Sequence, residues 1–201
     1  MRKRKYNIIG ITGPTGSGKT TLSVMLKDYN CAIVNADKLT RKVYLNTKCI
    51  EKLKKAFGNS ILNTDGSINR KALAEIVFSS EDKLNLLNQI THPLIIKEAE
   101  RTFNDLYKQG YRNIVFDAPT LIESEFHKKC DIVISVIVPI ALRIKRITKR
   151  DEISDADAKA RVFAQHSDIY YISQSDIVID NNYNEDYLLY QIKEKIVPIL
   201  I

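Results

Sequence analysis

Three cysteines in 201 residues leave little material for covalent stapling. Cys31, Cys49 and Cys130 are odd in number, widely spaced and never form a C-x-x-C pair. Neither a disulfide framework nor a thiolate metal site is expected, and the thiols read as reduced and packed, as in a cytosolic protein. Long apolar runs are missing as well. No segment approaches the ~18 to 20 uninterrupted apolar residues of a membrane span, so no membrane partner is expected. The basic start Met1-Arg2-Lys3-Arg4-Lys5 has the charge of a secretory leader, but the apolar run behind it is too short for one. No internal repeat and no low-complexity linker interrupts the chain. An N-K-x-D guanine-reading motif is absent too, which argues against a GTPase switch.

The residues present describe an ordinary globular protein with a basic surplus. Its length suits one domain, or one with inserted subdomains, and is enough to bury a real core. Lysine and arginine outnumber the acids 31 to 24, for a net charge of +7. An anionic partner is therefore expected. Nucleotide phosphates satisfy that charge alone, and nucleic acid is not required.

One stretch organises the rest: Gly13-Pro14-Thr15-Gly16-Ser17-Gly18-Lys19-Thr20. It follows the apolar run Ile8-Ile9-Gly10-Ile11 and precedes a helical pattern through Thr21-Leu22-Ser23-Val24-Met25-Leu26. That strand–loop–helix setting is what the phosphate-loop pattern G-x-x-x-x-G-K-[ST] demands. Its glycines let backbone amides turn inward as an anion nest, and the helix start adds its positive end. Lys19 would bridge the β- and γ-phosphates of a nucleoside triphosphate, and the Thr20 hydroxyl would hold Mg²⁺. Thr21 adjoins the same cradle.

Five β-branched runs follow the continuous pattern of strands covered on both faces: Tyr6–Thr12, Cys31–Asn35, Asn113–Asp117, Asp131–Val138 and Asp176–Asp180. Helical patterns separate them, which implies an α/β fold around a parallel sheet. The core is expected over 1–45, 109–139 and 170–201. Residues 46–108 read as a helical insertion, a usual place for a second-substrate pocket. It would hold a helix over Lys48–Phe57, a turn-rich stretch, then three more helical segments. Asn69 would cap one, and Ser79 with Asp82 would form a capping box for the next. A second insertion, 140–169, carries Arg143, Arg146 and Arg150 at i, i+3 and i+7, followed by a helix start at Ser154-Asp155-Ala156-Asp157. Its basic face is either a lid over phosphates or a solvated surface.

The carboxylates narrow the chemistry. Asp37 follows the second strand, at the carboxyl end where α/β sheets bind ligands. Arg41 lies one helical turn further on. Together they would activate a hydroxyl and orient an anionic substrate, unless Asp37 only caps a helix starting at Lys38. Asp117 ends the third strand, either on the Mg²⁺ side or as a structural cap.

At these residues the chain resembles the dephospho-coenzyme A kinase family, and the resemblance runs almost end to end. It rests on Thr12 to Thr20, on Asn35-Ala36-Asp37 through Arg41, and on Asp65-Gly66-Ser67-Ile68-Asn69-Arg70 through Leu73. His92-Pro93, Pro119-Thr120-Leu121-Ile122-Glu123 and Cys130-Asp131 continue it. Ile144-Lys145-Arg146 through Arg150-Asp151, then Gln165 and Asp176 through Asn182, complete it. The resemblance implies a P-loop NTPase-type three-layer fold with a five-stranded parallel sheet, a helical substrate-binding insertion and a helical lid. It implies ATP-dependent, Mg²⁺-assisted phosphorylation of the ribose 3′-hydroxyl of dephospho-CoA in the cytoplasm.

Under that reading Asp37 accepts the proton, while Lys19, Arg146 and Arg150 neutralise charge. Gly13, Gly16, Ser17, Gly18 and Asn181 join the ATP site, and Arg41, His92 and Glu123 sit on the acceptor side. His92 alternatively caps a helix that restarts at Pro93. His127 and His166 read as surface residues. Asn35 replaces the family's first aspartate, Pro14 and Thr15 replace Gly-Ile, and Thr120 replaces leucine. The loop is also similar to that of tRNA dimethylallyltransferases, but this chain lacks their longer tRNA-binding portion. Uridine and nucleoside monophosphate kinases share the fold and differ in acceptor.

Overall fold

The computed structural model describes residues 5–201. The basic run at 1–4 lies outside the described residues. The strands are β1 (Asn7–Thr12), β2 (Cys31–Asn35), β3 (Asn113–Asp117), β4 (Ile132–Ile137) and β5 (Ile177–Asp180). They form one parallel sheet in the order β2-β3-β1-β4-β5. The inner strand β3 is buried at every position and the central strand β1 at all but its first, whereas the edge strand β5 buries one residue fully. Continuous burial at the centre is why those runs show no alternation.

The helices among the described residues are α1 (Lys19–Met25), α2 (Ala36–Val43), α3 (Thr47–Phe57), α4 (Arg70–Val77), α5 (Glu81–Lys108), α6 (Ile140–Asp151), α7 (Asp155–Phe163), α8 (Asp168–Ile172) and α9 (Glu185–Gln191). The chain packs as two compact units. One holds the sheet and comprises residues up to Asn35 with Asp105–Ile201; the other is helical, Ala36–Asn104. The packing thus divides at 35/36 and 104/105, whereas the sequence pattern places these boundaries at 45/46 and 108/109.

In the sheet unit, Ile9, Ile11, Val115, Ile134, Val136 and Ile179 pack with Leu22, Leu26, Leu188, Ile192 and Ile196 from the flanking helices. Two carboxylates pin neighbouring strands. Asp131 accepts from the Ile8 amide at 2.8 Å, and Asp176 accepts from the Val133 amide at 2.7 Å. Each satisfies a strand-end donor that would otherwise be buried without a partner. α6 and α7 share their own small core of Ile144, Ile147, Ala158 and Val162.

The helical unit is built on Val43, Cys49, Leu53, Ile61, Ile68, Leu73 and Val77. Asn69 caps α4 as expected, accepting from the Ala72 amide at 3.1 Å. Ser154 likewise caps α7, accepting from the Asp157 amide at 3.1 Å. Ser79 forms no capping box. Its hydroxyl donates to the Ile76 carbonyl at 2.8 Å, finishing the preceding turn instead.

The main departure is α5. Two helices follow the turn-rich stretch rather than three, because α5 runs unbroken for 28 residues through Pro93. Proline removes one amide donor and disfavours helix in the residue before it. Here Leu84, Leu87, Ile90, Leu94 and Ile95 pack on the unit's core on both sides of Pro93 and override that local preference. His92 is therefore an interior helical residue and caps nothing.

Candidate active site

The phosphate loop leaves β1 at the carboxyl edge of the sheet and enters α1. Gly13 and Gly18 hold φ of +136° and +97°, values that favour glycine. Space demands them as well. A Cβ at Gly13 would stand 2.4 Å from the Val136 carbonyl oxygen, and one at Gly18 would stand 2.1 Å from Asn181 Nδ2. The loop passes too close to β4 and to the segment after β5 for any side chain.

Side chains hold the loop from two sides. Lys19 Nζ donates to the carbonyls of Gly13 at 2.7 Å and Pro14 at 3.0 Å. Arg143 Nε donates to the Thr15 carbonyl at 3.1 Å. Arg146 donates to the carbonyls of Gly16 and Ser17, both at 3.3 Å, and to that of Asn181 at 3.0 Å. Asn181 Nδ2 adds a bond to the Ser17 carbonyl at 2.8 Å. Two arginines one turn apart on α6 thus take three consecutive loop carbonyls. In a trans peptide the C=O and the next N–H point oppositely. Fixing carbonyls 15 and 17 on the arginine side turns the amides of Gly16 and Gly18 the other way, as an anion nest requires.

Arg146 therefore does not lie on a solvated face, one of the two readings its spacing allows. It is half-buried and already engaged. Arg143 is more buried still, at 2% exposure, and faces the Asp168 carboxylate at 3.5 Å. Burial lowers its pKa and Asp168 opposes that shift. Arg150 turns elsewhere. It makes a two-point contact with Asp151 at 2.8 and 2.9 Å, and Arg161 joins the same carboxylate at 2.8 Å.

A pocket of about 270 Å³ opens beside the loop, lined by Gly18, Thr21, Arg146, Asn181, Tyr183, Asn184, Glu185 and Leu188. Tyr183 is 62% exposed and meets Tyr187 edge-on at 4.8 Å between centroids. Tyr187 stacks in turn on Tyr190 at 6.1 Å. Nothing in the motifs points to these tyrosines; Tyr187 and Tyr190 lie one turn apart on α9, and Tyr183 stands just before its cap at Asn184. Thr20 is exposed in the first turn of α1. Ser17 Oγ and Thr12 Oγ1 are buried without a hydrogen-bond partner among the described residues.

Asp117 ends β3, is 4% exposed and pairs in register with Ile11 on one side and Asn35 on the other. Asn35 Nδ2 donates to its carboxylate at 3.4 Å. An aspartate at position 35 would set two carboxylates against each other; the amide replaces that repulsion with a donor. Glu123 lies beyond β3 in the same unit, with its Oε1 4.0 Å from His166 Nε2. His166 stacks on Tyr170 at 3.9 Å. Burial first, then Glu123, pushes the Tyr171 hydroxyl up to about 12. His127 is not a plain surface residue: it is half-buried, with Nδ1 enclosed.

The helical unit carries the other candidates. Asp37 and Arg41 are exposed on α2, one turn apart and so on one face. α2 begins at Ala36, so Asp37 is already inside its first turn and does not cap it. His92 sits within α5, and burial lowers its pKa from the usual histidine value. Among the described residues no cluster of three or more His, Cys, Asp or Glu could hold a metal alone. No helix there is long and apolar enough to cross a membrane.

Comparison with known proteins gives a consistent set of matches. The family model described as dephospho-CoA kinase matches residues 7–186. A Corynebacterium glutamicum protein named dephospho-CoA kinase is 37% identical over 175 residues, 87% of this chain and 88% of its own. The solved dephospho-CoA kinase of Campylobacter jejuni superposes with a TM-score of 0.68 at 26% identity, covering 94% of this chain and 96% of its own. A solved Thermus thermophilus protein reaches a TM-score of 0.82 at 25% identity, covering 98% of this chain and all of its own.

Proposed function

The chain belongs to the dephospho-CoA kinase family, and from that premise we propose how its residues divide the work of the reaction. The enzyme transfers the γ-phosphate of ATP to the ribose 3′-hydroxyl of dephospho-CoA, the last step of coenzyme A synthesis. Such transfer is mainly positioning and charge neutralisation, with a group to receive the hydroxyl proton. The observation that carries the assignment is the held phosphate loop, with its carbonyls at 13 to 17 committed to Lys19, Arg143 and Arg146.

In this reading the amides of Gly16 and Gly18 to Thr21 receive the phosphates, with Gly13 and Ser17 shaping the cradle. Lys19 leaves its two carbonyls for the β- and γ-oxygens, a short swing for a flexible four-carbon stem. The pocket beside Gly18 takes the base, between the Arg146 guanidinium and Tyr183, with Asn181 as its floor. Arg150 joins by turning from Asp151, since the lid 140–169 already rests on the loop through Arg143 and Arg146. Residues 46–108 serve as the acceptor-binding insertion. Asp37 takes the proton from the 3′-hydroxyl, while Arg41, His92 and Glu123 bind the acceptor.

Mg²⁺ suits the donors offered, because the Thr20 hydroxyl and the Asp117 carboxylate are hard oxygens. Thr20 would hold the ion, and Asp117 is the second candidate to do so. When bound it would neutralise charge on the transferred phosphate. A cytoplasmic setting is supported by three cysteines that form no disulfide, and no nucleic-acid partner is needed.

The test is ATP consumption with dephospho-CoA, uridine, nucleoside monophosphates or tRNA offered singly. Turnover with dephospho-CoA alone is expected. Preference for any other acceptor would overturn the assignment.

A further inference from the structure

Gln165 lies just beyond α7, is exposed, and has no part in the division of labour above. Its Oε1 accepts from the Thr15 amide at 2.8 Å and from Arg143 Nη2 at 3.2 Å. Arg143 Nε donates in turn to the Thr15 carbonyl at 3.1 Å. Arg143 itself is steadied by the Asp168 carboxylate in α8, 3.5 Å away. Both backbone polar groups of one loop residue are therefore held by a linked set of side chains from α6, α8 and the segment just after α7. Thr15 belongs to two consecutive peptide planes, one carrying its N–H and one its C=O. Holding both fixes the direction in which the loop leaves Pro14 and reaches Gly16, whose φ is +77°.

We propose that Gln165 is a positioning residue that fixes the Thr15 amide and so sets the phosphate loop, before ATP arrives, in the shape that receives its phosphates. The reason is entropic. A glycine-rich loop has little of its own to hold it, and whatever order it lacks beforehand must be supplied at binding. Gln165 and Arg143 supply that order from outside the loop. Because Gln165 is exposed, it does this without being part of any core, and its removal leaves the fold intact. No local sequence pattern points to this, since the contact spans 150 residues.

The inference rests on the reading that this loop binds ATP, and the experiment separates the two. ATP affinity is measured by calorimetry, and KM and kcat by steady-state kinetics, for the parent and for Gln165→Leu, which keeps bulk and removes the acceptor. The expected result is an ATP Kd and KM raised about tenfold, with kcat within about twofold, KM for dephospho-CoA unchanged and the melting temperature retained. Deuterium exchange at the Thr15 amide of the ligand-free protein should quicken in the variant. The double variant with Arg143→Lys should lose less than the product of the single effects, because both act on one residue. A parent that binds no ATP would defeat the ATP reading itself. A parent that binds ATP beside a variant of equal affinity would defeat only this inference. A variant of higher affinity would defeat it too, by showing that Gln165 competes with phosphate for the amide.

Discussion

Arg146→Ala is the substitution whose outcome the structure changes most. From the sequence, an arginine on a basic lid face should affect rate and leave stability alone. The structure ties Arg146 to the carbonyls of Gly16, Ser17 and Asn181 at 3.3, 3.3 and 3.0 Å. Alanine removes all three contacts. The Ser17 carbonyl keeps its bond from Asn181 Nδ2 at 2.8 Å, so the carbonyls of Gly16 and Asn181 lose most. These are long bonds on a half-buried side chain, so each contributes at the lower end of about 0.5 to 1.5 kcal/mol. The sum is about 1.5 kcal/mol. For a chain of this length that lowers the melting temperature by roughly 3 to 6 °C. ATP affinity should fall as well, by about tenfold or more, because the nest loses its outer support and the base pocket one wall. Thermal denaturation with and without ATP reads both effects, since the parent gains stability from ligand by mass action. Arg146→Lys offers one point charge in place of the planar fork and should recover about half of the lost stability. A variant with parental melting temperature and a loss confined to kcat would refute this reasoning and return Arg146 to an open lid. A variant unchanged in every respect would show that the three bonds carry no weight.

The remaining predictions are briefer. Lys19→Ala should abolish turnover, with at most a small loss of stability from its two loop contacts; turnover at the parental rate would remove the loop lysine from the mechanism. Asp37→Asn should lower kcat by about 10² to 10⁴ with little change in ATP affinity, and because α2 starts at Ala36 no helix cap is lost. Near-parental turnover with dephospho-CoA would show that Asp37 is not the base. Tyr183→Ala should raise KM for ATP by about five- to tenfold, as expected for losing an aromatic stacking partner, and Tyr183→Phe should restore it. Equal KM values in all three proteins would place the base elsewhere.

Much of this protein was legible in one dimension, for a physical reason. A strand covered on both faces must be apolar throughout, so β1 to β5 announced themselves within a residue or two at each end. The phosphate loop is contiguous, because its task falls on successive backbone amides and the helix that follows them. Asn69 and Ser154 were readable as caps because a cap bonds an amide three residues ahead. What remained hidden depends on partners far along the chain. Pro93 looks like a helix break until the apolar residues on both sides of it pack on one core. Arg146 reads as a free cation until Gly16 and Ser17, 130 and 129 residues away, present their carbonyls to it. Gln165 takes part in the family resemblance but has no assigned task until the fold brings Thr15 to its side-chain oxygen. A side chain's spacing shows the face it occupies, but its hydrogen-bond partner is decided only when the sheet closes β1 against β4 and α6 lands beside the loop.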